Sequence, residues 1–115
     1  MHELSLAESV VQSIEEAACA DGEKFHRVSK VILEIGELAA VDAEAMRFCF
    51  NVVVQGSIAA GAVLEIVETP GSGWCTPCAA TVPICELIAA CPRCGGYQVQ
   101  ASGGMEMKLI ALEVE

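Results

Sequence analysis

Apolar positions recur along this chain with two different periods. Between Glu3 or Ser5 and Ala20 the period is helical. Leu4, Val11, Ile14 and Ala18 share one face, while Glu8, Gln12, Glu15 and Glu16 take the others. Asp21-Gly22 follows, with Gly22 suited to a C-terminal cap. From Arg27 to Ile35 the period drops to two. Val31, Leu33 and Ile35 alternate with Lys30, Ile32 and Glu34, which predicts a strand ended by Gly36. Asp42 then precedes Ala43-Glu44-Ala45 as an N-cap residue ahead of a helix. That helix would bury Met46, Cys49, Phe50 and Val53. Val52-Val53-Val54 is β-branched, but the cap before it and Gly56 after it favour the helix. Gly61 marks a turn into a second strand, Ala62 to Glu68. Met105 to Glu115 is a third, with Ile110, Leu112 and Val114 alternating with Ala111, Glu113 and Glu115.

Two glycine-rich runs interrupt this pattern, Thr69-Pro70-Gly71-Ser72-Gly73 and Ala101-Ser102-Gly103-Gly104. By composition both read as linkers. They bracket a cysteine-rich stretch with short apolar segments at Val82, Ile84 and Leu87-Ile88 that suit small strands. The expected class is α+β: a small mixed sheet of about three strands with two helices, plus an inserted zinc-ribbon-like module. Residues 1–69 with 105–115 would form one domain and 70–104 the module.

The length, 115 residues, permits one domain or one small domain plus a module. Only five residues are aromatic, so the core must be aliphatic. No run of eighteen apolar residues predicts a membrane span, and the first residues lack the n- and h-regions of a signal peptide. A cytoplasmic setting is expected, which also suits seven cysteines held as thiols. Net charge is −10. Affinity for a polyanion comes from basic residues facing phosphates, so nucleic acid is not an expected partner. Between Trp74 and Tyr97 the only basic residue is Arg93.

The cysteine-rich stretch holds Cys75, Cys78, Cys91 and Cys94 as two C-x2-C pairs twelve residues apart. Four soft sulfur ligands in this pattern suit tetrahedral zinc. Pro77, Pro92 and Gly95 supply turn chemistry for two knuckles. The same pattern also admits two disulfides, a redox pair, or a single iron in a rubredoxin-like electron carrier. A zinc-ribbon adaptor is a further alternative. Cys85 stands outside both pairs and reads as a free thiol, and Cys19 as a packed one.

The opening Met1-His2-Glu3 is a second chemical signal. The Met1 amine, the His2 imidazole and the backbone nitrogens of His2 and Glu3 can form a planar nitrogen chelate. Such a donor set selects Ni(II) or Cu(II) over zinc. His26 reads as a solvated residue in a turn.

Taken together, the chain resembles the HypA/HybF family of hydrogenase nickel-incorporation proteins, from end to end. The resemblance rests on Met1-His2-Glu3-Leu4-Ser5, Ile35-Gly36-Glu37 with Val41-Asp42, Phe48 to Gly56, Gly61-Ala62-Val63-Leu64, both C-x2-C pairs, and Met105-Glu106-Met107 with Leu112-Glu113-Val114. It implies a nickel metallochaperone and not an enzyme. Nickel would be held by the Met1 amine, His2 and the backbone of Glu3, with the Glu3 side chain in support. Asp42 matches an acidic family position near that site. The resemblance implies a structural zinc site at the four paired cysteines. It also implies two partners, the nickel-handling GTPase HypB and the hydrogenase large-subunit precursor, and leaves homodimerisation open. In some members a histidine follows a C-x2-C pair; here Ala79 and Gly95 stand there, so histidine-for-cysteine exchange is not expected.

Overall fold

The structure is a computed structural model that describes residues 2–20 and 25–115. The expected cap at Asp21-Gly22 and the Met1 amine lie outside the described residues. The chain divides into two compact units. The first comprises Met1–Leu33, Val41–Ile66 and Leu109–Glu115; the second comprises Glu34–Ala40 and Val67–Lys108.

The first unit opens with α1, His2–Cys19, which packs on α2, Ala43–Val53. The buried stripe of α1 is Ala7, Val10, Val11 and Ile14. Of the expected face, Val11 and Ile14 hold, while Leu4 remains 37% exposed. At 3.6 residues per turn the stripe centres between Val10 and Val11, and Leu4 falls on its flank. Cys19, expected to pack, is exposed. On α2, Met46, Cys49 and Phe50 are buried, as the helical period predicts, and Val53 is half-buried. Asp42 caps this helix, and Gly56, at φ 80°, takes the left-handed turn beyond it.

The strands expected at residues 27–35, 62–68 and 105–115 are β1 (Val28–Gly36), β2 (Val63–Thr69) and, last in the chain, β6 (Met107–Val114). They form one sheet in the order β2-β1-β6. The Val28 N–H donates to Ile58 O just ahead of β2, and the Glu37 N–H donates to Thr69 O at its end, so β1 and β2 run parallel. The Glu115 N–H donates to Arg27 O and the Gly36 N–H to Glu106 O, so β6 runs antiparallel. The sheet is therefore mixed. Val28, Val31 and Leu33 are fully buried with Ile14, Met46 and Phe50 in the first unit's core. Ile110 and Val114 of β6, by contrast, are 47% and 44% exposed. On the solvent side Lys30 pairs with Glu65 at 2.8 Å.

The second unit holds a small antiparallel sheet of β3 (Ser72–Cys75), β4 (Ala80–Pro83) and β5 (Val99–Gly103), ordered β4-β3-β5. Its inner face sets Cys75, Val82 and Ile84 against Cys91 and Leu38. Trp74, one residue along, points outward between Thr81 and Gln100.

The two glycine-rich runs are not simply linkers. Ser72-Gly73 belongs to β3, and Ala101 to Gly103 belong to β5. Their glycines mark close approach instead. A Cβ on Gly73 would stand 2.6 Å from the Val99 side chain, and one on Gly36 would strike the Gly104 carbonyl. The Glu37 carboxylate accepts the Gly71 N–H at 2.9 Å, and the Leu38 N–H donates to Gly104 O at 2.7 Å. Leu87-Ile88, expected to be strand-like, is exposed loop without a paired strand.

Candidate metal centre

Cys75 ends β3, and the chain then turns back tightly towards β4. The Ala79 N–H donates to Thr76 O, with Ala79 itself at φ 50°. The second knuckle is built in the same way. The Cys91 N–H donates to Gly96 O, the Gly95 N–H donates to Cys91 O, and Gly95 sits at φ 75°. Glycine adopts that conformation without Cβ strain.

These two turns bring all four thiols together. Their sulfurs lie within 4.8 Å of one another. Cys75 Sγ is 3.7 Å from Cys94 Sγ, and Cys78 Sγ is 3.9 Å from Cys91 Sγ. A tetrahedral zinc with bonds of about 2.3 Å requires sulfur pairs about 3.8 Å apart. The donor set and its spacing therefore fit zinc, and the four cysteines form a candidate zinc site. Cys75 and Cys91 are buried, Cys78 is half-buried and Cys94 is exposed. Cys85 is exposed and stands outside the group. Among the described residues no other group of three His, Cys, Asp or Glu ligand atoms gathers in this way.

Electrostatics shows what the cation resolves. Four thiolates cannot crowd together uncompensated. The Cys91 sulfur faces the N–H groups of Cys94 and Arg93, the latter at 3.3 Å, which outweigh its burial and pull it down to about 6. Cys78 is pushed up to about 12 by the Cys75 and Cys94 thiols and by burial. The Cys78 N–H lowers Cys75, but burial and the Cys91 and Cys94 thiols leave it raised. Some thiols are thus held protonated and one is held as thiolate. A bound dication would displace those protons and compensate the charge.

Three further predicted site residues, His2, Glu3 and Asp42, meet at the start of α1. His2 is the first described residue of that helix, with its side chain 60% exposed. Its Nδ1 lies 3.7 Å from Glu3 Oε2. The same oxygen accepts the Asp42 backbone N–H at 3.2 Å. That N–H, then Glu3's own N–H, hold the Glu3 carboxyl below its ordinary value against the opposing effect of burial, with His2 adding a smaller share. Asp42 Oδ1 accepts from the Glu44 and Ala45 N–H groups at 2.9 and 3.1 Å. The structure therefore brings His2, Glu3 and Asp42 together across 39 residues of sequence. The link runs through the Asp42 backbone, which no side-chain pattern announces. His26 is exposed, as expected of a solvated residue.

Comparison with known proteins covers the whole chain. A family model described as "Hydrogenase/urease nickel incorporation, metallochaperone, hypA" matches residues 1–114. The hydrogenase maturation factor HypA of Dechloromonas aromatica is 54% identical over 115 residues, covering all of both chains. That of Albidiferax ferrireducens is 55% identical with the same coverage. Among solved structures, the solution structure of the Ni metallochaperone HypA from Helicobacter pylori is 27% identical, with a TM-score of 0.68 over 97% of this chain and 96% of that one. A second solution structure of a HypA protein is 28% identical, with a TM-score of 0.71 over 100% and 97%. With its cysteine cluster, its mixed sheet and its full-length match, the chain belongs to the HypA family of nickel-incorporation metallochaperones that serve hydrogenase maturation.

Proposed function

We propose that this chain takes up Ni(II) at its N-terminus and delivers it to a [NiFe]-hydrogenase under maturation, as a carrier without catalysis, in the cytoplasm. The donors in this reading are the Met1 amine, the His2 imidazole and the backbone nitrogens of His2 and Glu3. The Glu3 carboxylate supports them.

The observation that carries the reading is the exposed His2 on the first turn of α1, beside the held Glu3 carboxylate. The first N–H groups of an α-helix have no intrahelical acceptor. Nickel can therefore displace the amide protons of His2 and Glu3 without breaking a helical hydrogen bond. Planar nitrogen donors suit Ni(II). Exposure suits transfer, because a caged ion cannot be handed on. The zinc centre takes the opposite role: a closed four-thiolate shell leaves no open position for exchange. It serves as the scaffold of the second unit.

The recipients in this reading are the nickel-handling GTPase HypB and the hydrogenase large-subunit precursor. The chain's −10 charge favours partners that present basic surfaces. Nickel titration of the untagged protein beside His2→Ala tests the reading. Tight binding by the native chain, and its loss in the variant, is the expected outcome; equal binding by both refutes it.

A further inference from the structure

The Asp42 N-cap is unusual in one respect. In a capping box, the N-cap side chain bonds the N–H three residues on, and a Glu or Gln at that third position reaches back to the N-cap's own N–H. Asp42 makes the first half of this exchange, accepting from Glu44 and Ala45. The second half has no local side-chain acceptor, because the third position is Ala45. The acceptor comes instead from the other helix, as Glu3 Oε2 at 3.2 Å. The same oxygen faces His2 Nδ1.

We infer that Glu3 completes the capping box of α2 from another element, which makes Asp42 a positioning residue for the nickel site. The Asp42 side chain and its carbonyl, which accepts the Met46 N–H at 2.9 Å, fix the Asp42 peptide on α2. That peptide's N–H fixes the Glu3 carboxylate. Glu3 in turn presents its negative charge to His2 Nδ1 at 3.7 Å, which biases the ring by charge and not by a hydrogen bond. The nickel donors on α1 are thus pre-oriented by the cap of α2, and Asp42 acts through its backbone and not as a metal ligand. This rests on the nickel reading above and specifies how its donors are held.

Ala45→Gln separates this arrangement from a general effect on stability. A glutamine at the third position supplies the missing local half of the box and takes the Asp42 N–H, releasing Glu3. The untagged variant should keep or exceed the native thermal stability while binding Ni(II) about fivefold more weakly, the order of one lost cap interaction. Its nickel absorption bands should be unchanged, because the ligands are the same. Asp42→Ala should weaken nickel to a similar degree, and the cap-competent Asp42→Asn should restore binding to within about twofold of the native chain. Val10→Ala, which loosens the packing of α1 away from this contact, should lower stability and leave nickel affinity alone.

Native nickel affinity in Ala45→Gln overturns the inference. So does an Asp42→Asn variant as weak as Asp42→Ala, or one with altered absorption bands, since the carboxylate would then be a ligand. Weakening by Val10→Ala equal to that of Asp42→Ala overturns it as well. If Ala45→Gln does not fold, the Asp42 pair decides by the same criteria. Failure of the nickel reading itself is separately visible, as equal binding by the native chain and His2→Ala.

Discussion

Cys75 Sγ lies 3.7 Å from Cys94 Sγ, a contact that joins the two knuckles. The Cys78 to Cys91 contact at 3.9 Å also crosses between them. A metal at this centre therefore ties the β3 turn to the loop before β5. Cys75→Ser should abolish stoichiometric zinc and disorder the second unit, while α1 and α2 persist. Metal analysis and amide NMR spectra report both; retention of one zinc per chain would contradict the assignment.

Zinc uptake should be steeply pH-dependent. With Cys91 drawn down to about 6 and Cys78 pushed up to about 12, the metal-free cluster at neutral pH holds at least one thiolate and at least one thiol. Binding must expel the protons of Cys78 and the raised Cys75. Apparent affinity should fall as pH falls, and more steeply below about 6, where Cys91 also protonates. Chelator competition between pH 5.5 and 8, with calorimetry in buffers of different ionisation enthalpy, measures the slope and the protons released. A flat profile is incompatible with this electrostatics.

Glu3 makes a prediction of opposite reach. Its folded-state carboxyl is held below the ordinary value of 4.5 by the Asp42 N–H. The sign follows from linkage: a depressed acid stabilises the fold above its unfolded value, and the contribution vanishes as pH falls through the folded one. Urea unfolding should show the native chain and Glu3→Gln diverging at neutral pH and converging in acid below 4.5. Divergence that persists at low pH would mean the carboxylate charge is not the cause.

Glycine substitutions should rank by what the new methyl meets. In Gly36→Ala it strikes the Gly104 backbone, which cannot rotate away; in Gly73→Ala it meets the Val99 side chain at 2.6 Å. Overpacking of this kind costs about 1–3 kcal/mol, occasionally more. Gly36→Ala should lie at or above the top of that range and Gly73→Ala lower in it, by chemical denaturation. The reverse order would show that the backbone yields more easily than the side chain.

Leu38 belongs to the core of the second unit with Cys75, Val82, Ile84 and Cys91, and is only 6% exposed. Leu38→Ala should cost about 2–5 kcal/mol and speed zinc loss to a chelator. Unchanged stability and unchanged zinc release would place the packing support of the cysteine centre elsewhere.

Leu38 also shows where reading the chain stops. It follows a strand in a short, nondescript loop, and nothing local says that it packs beside cysteines far along the sequence. The glycine-rich runs misled for a related reason. Composition records flexibility in the unfolded chain, whereas at Gly73 and Gly104 the absent side chain makes room for a neighbour known only once the chain is folded. On α1 the helical period was read with Leu4 on the buried face; the folded helix buries Ala7 and Val10 instead.

What the sequence by itself determined is local. Each C-x2-C pair is closed by its own turn residues, so four soft ligands at that spacing pointed first to a tetrahedral metal. The α2 cap is equally self-contained, because Asp42 reaches only two and three residues ahead. The mixed pattern of two helices and three long strands was legible through its periods. What only the tertiary structure decided is non-local: the meeting of the two knuckles at 3.7–3.9 Å, the place of Leu38, and the bond from the Asp42 N–H to Glu3. That last bond spans 39 residues and uses a main-chain donor that every non-proline residue possesses. A sequence carries no mark of it, because which backbone group is left over depends on how the helices pack.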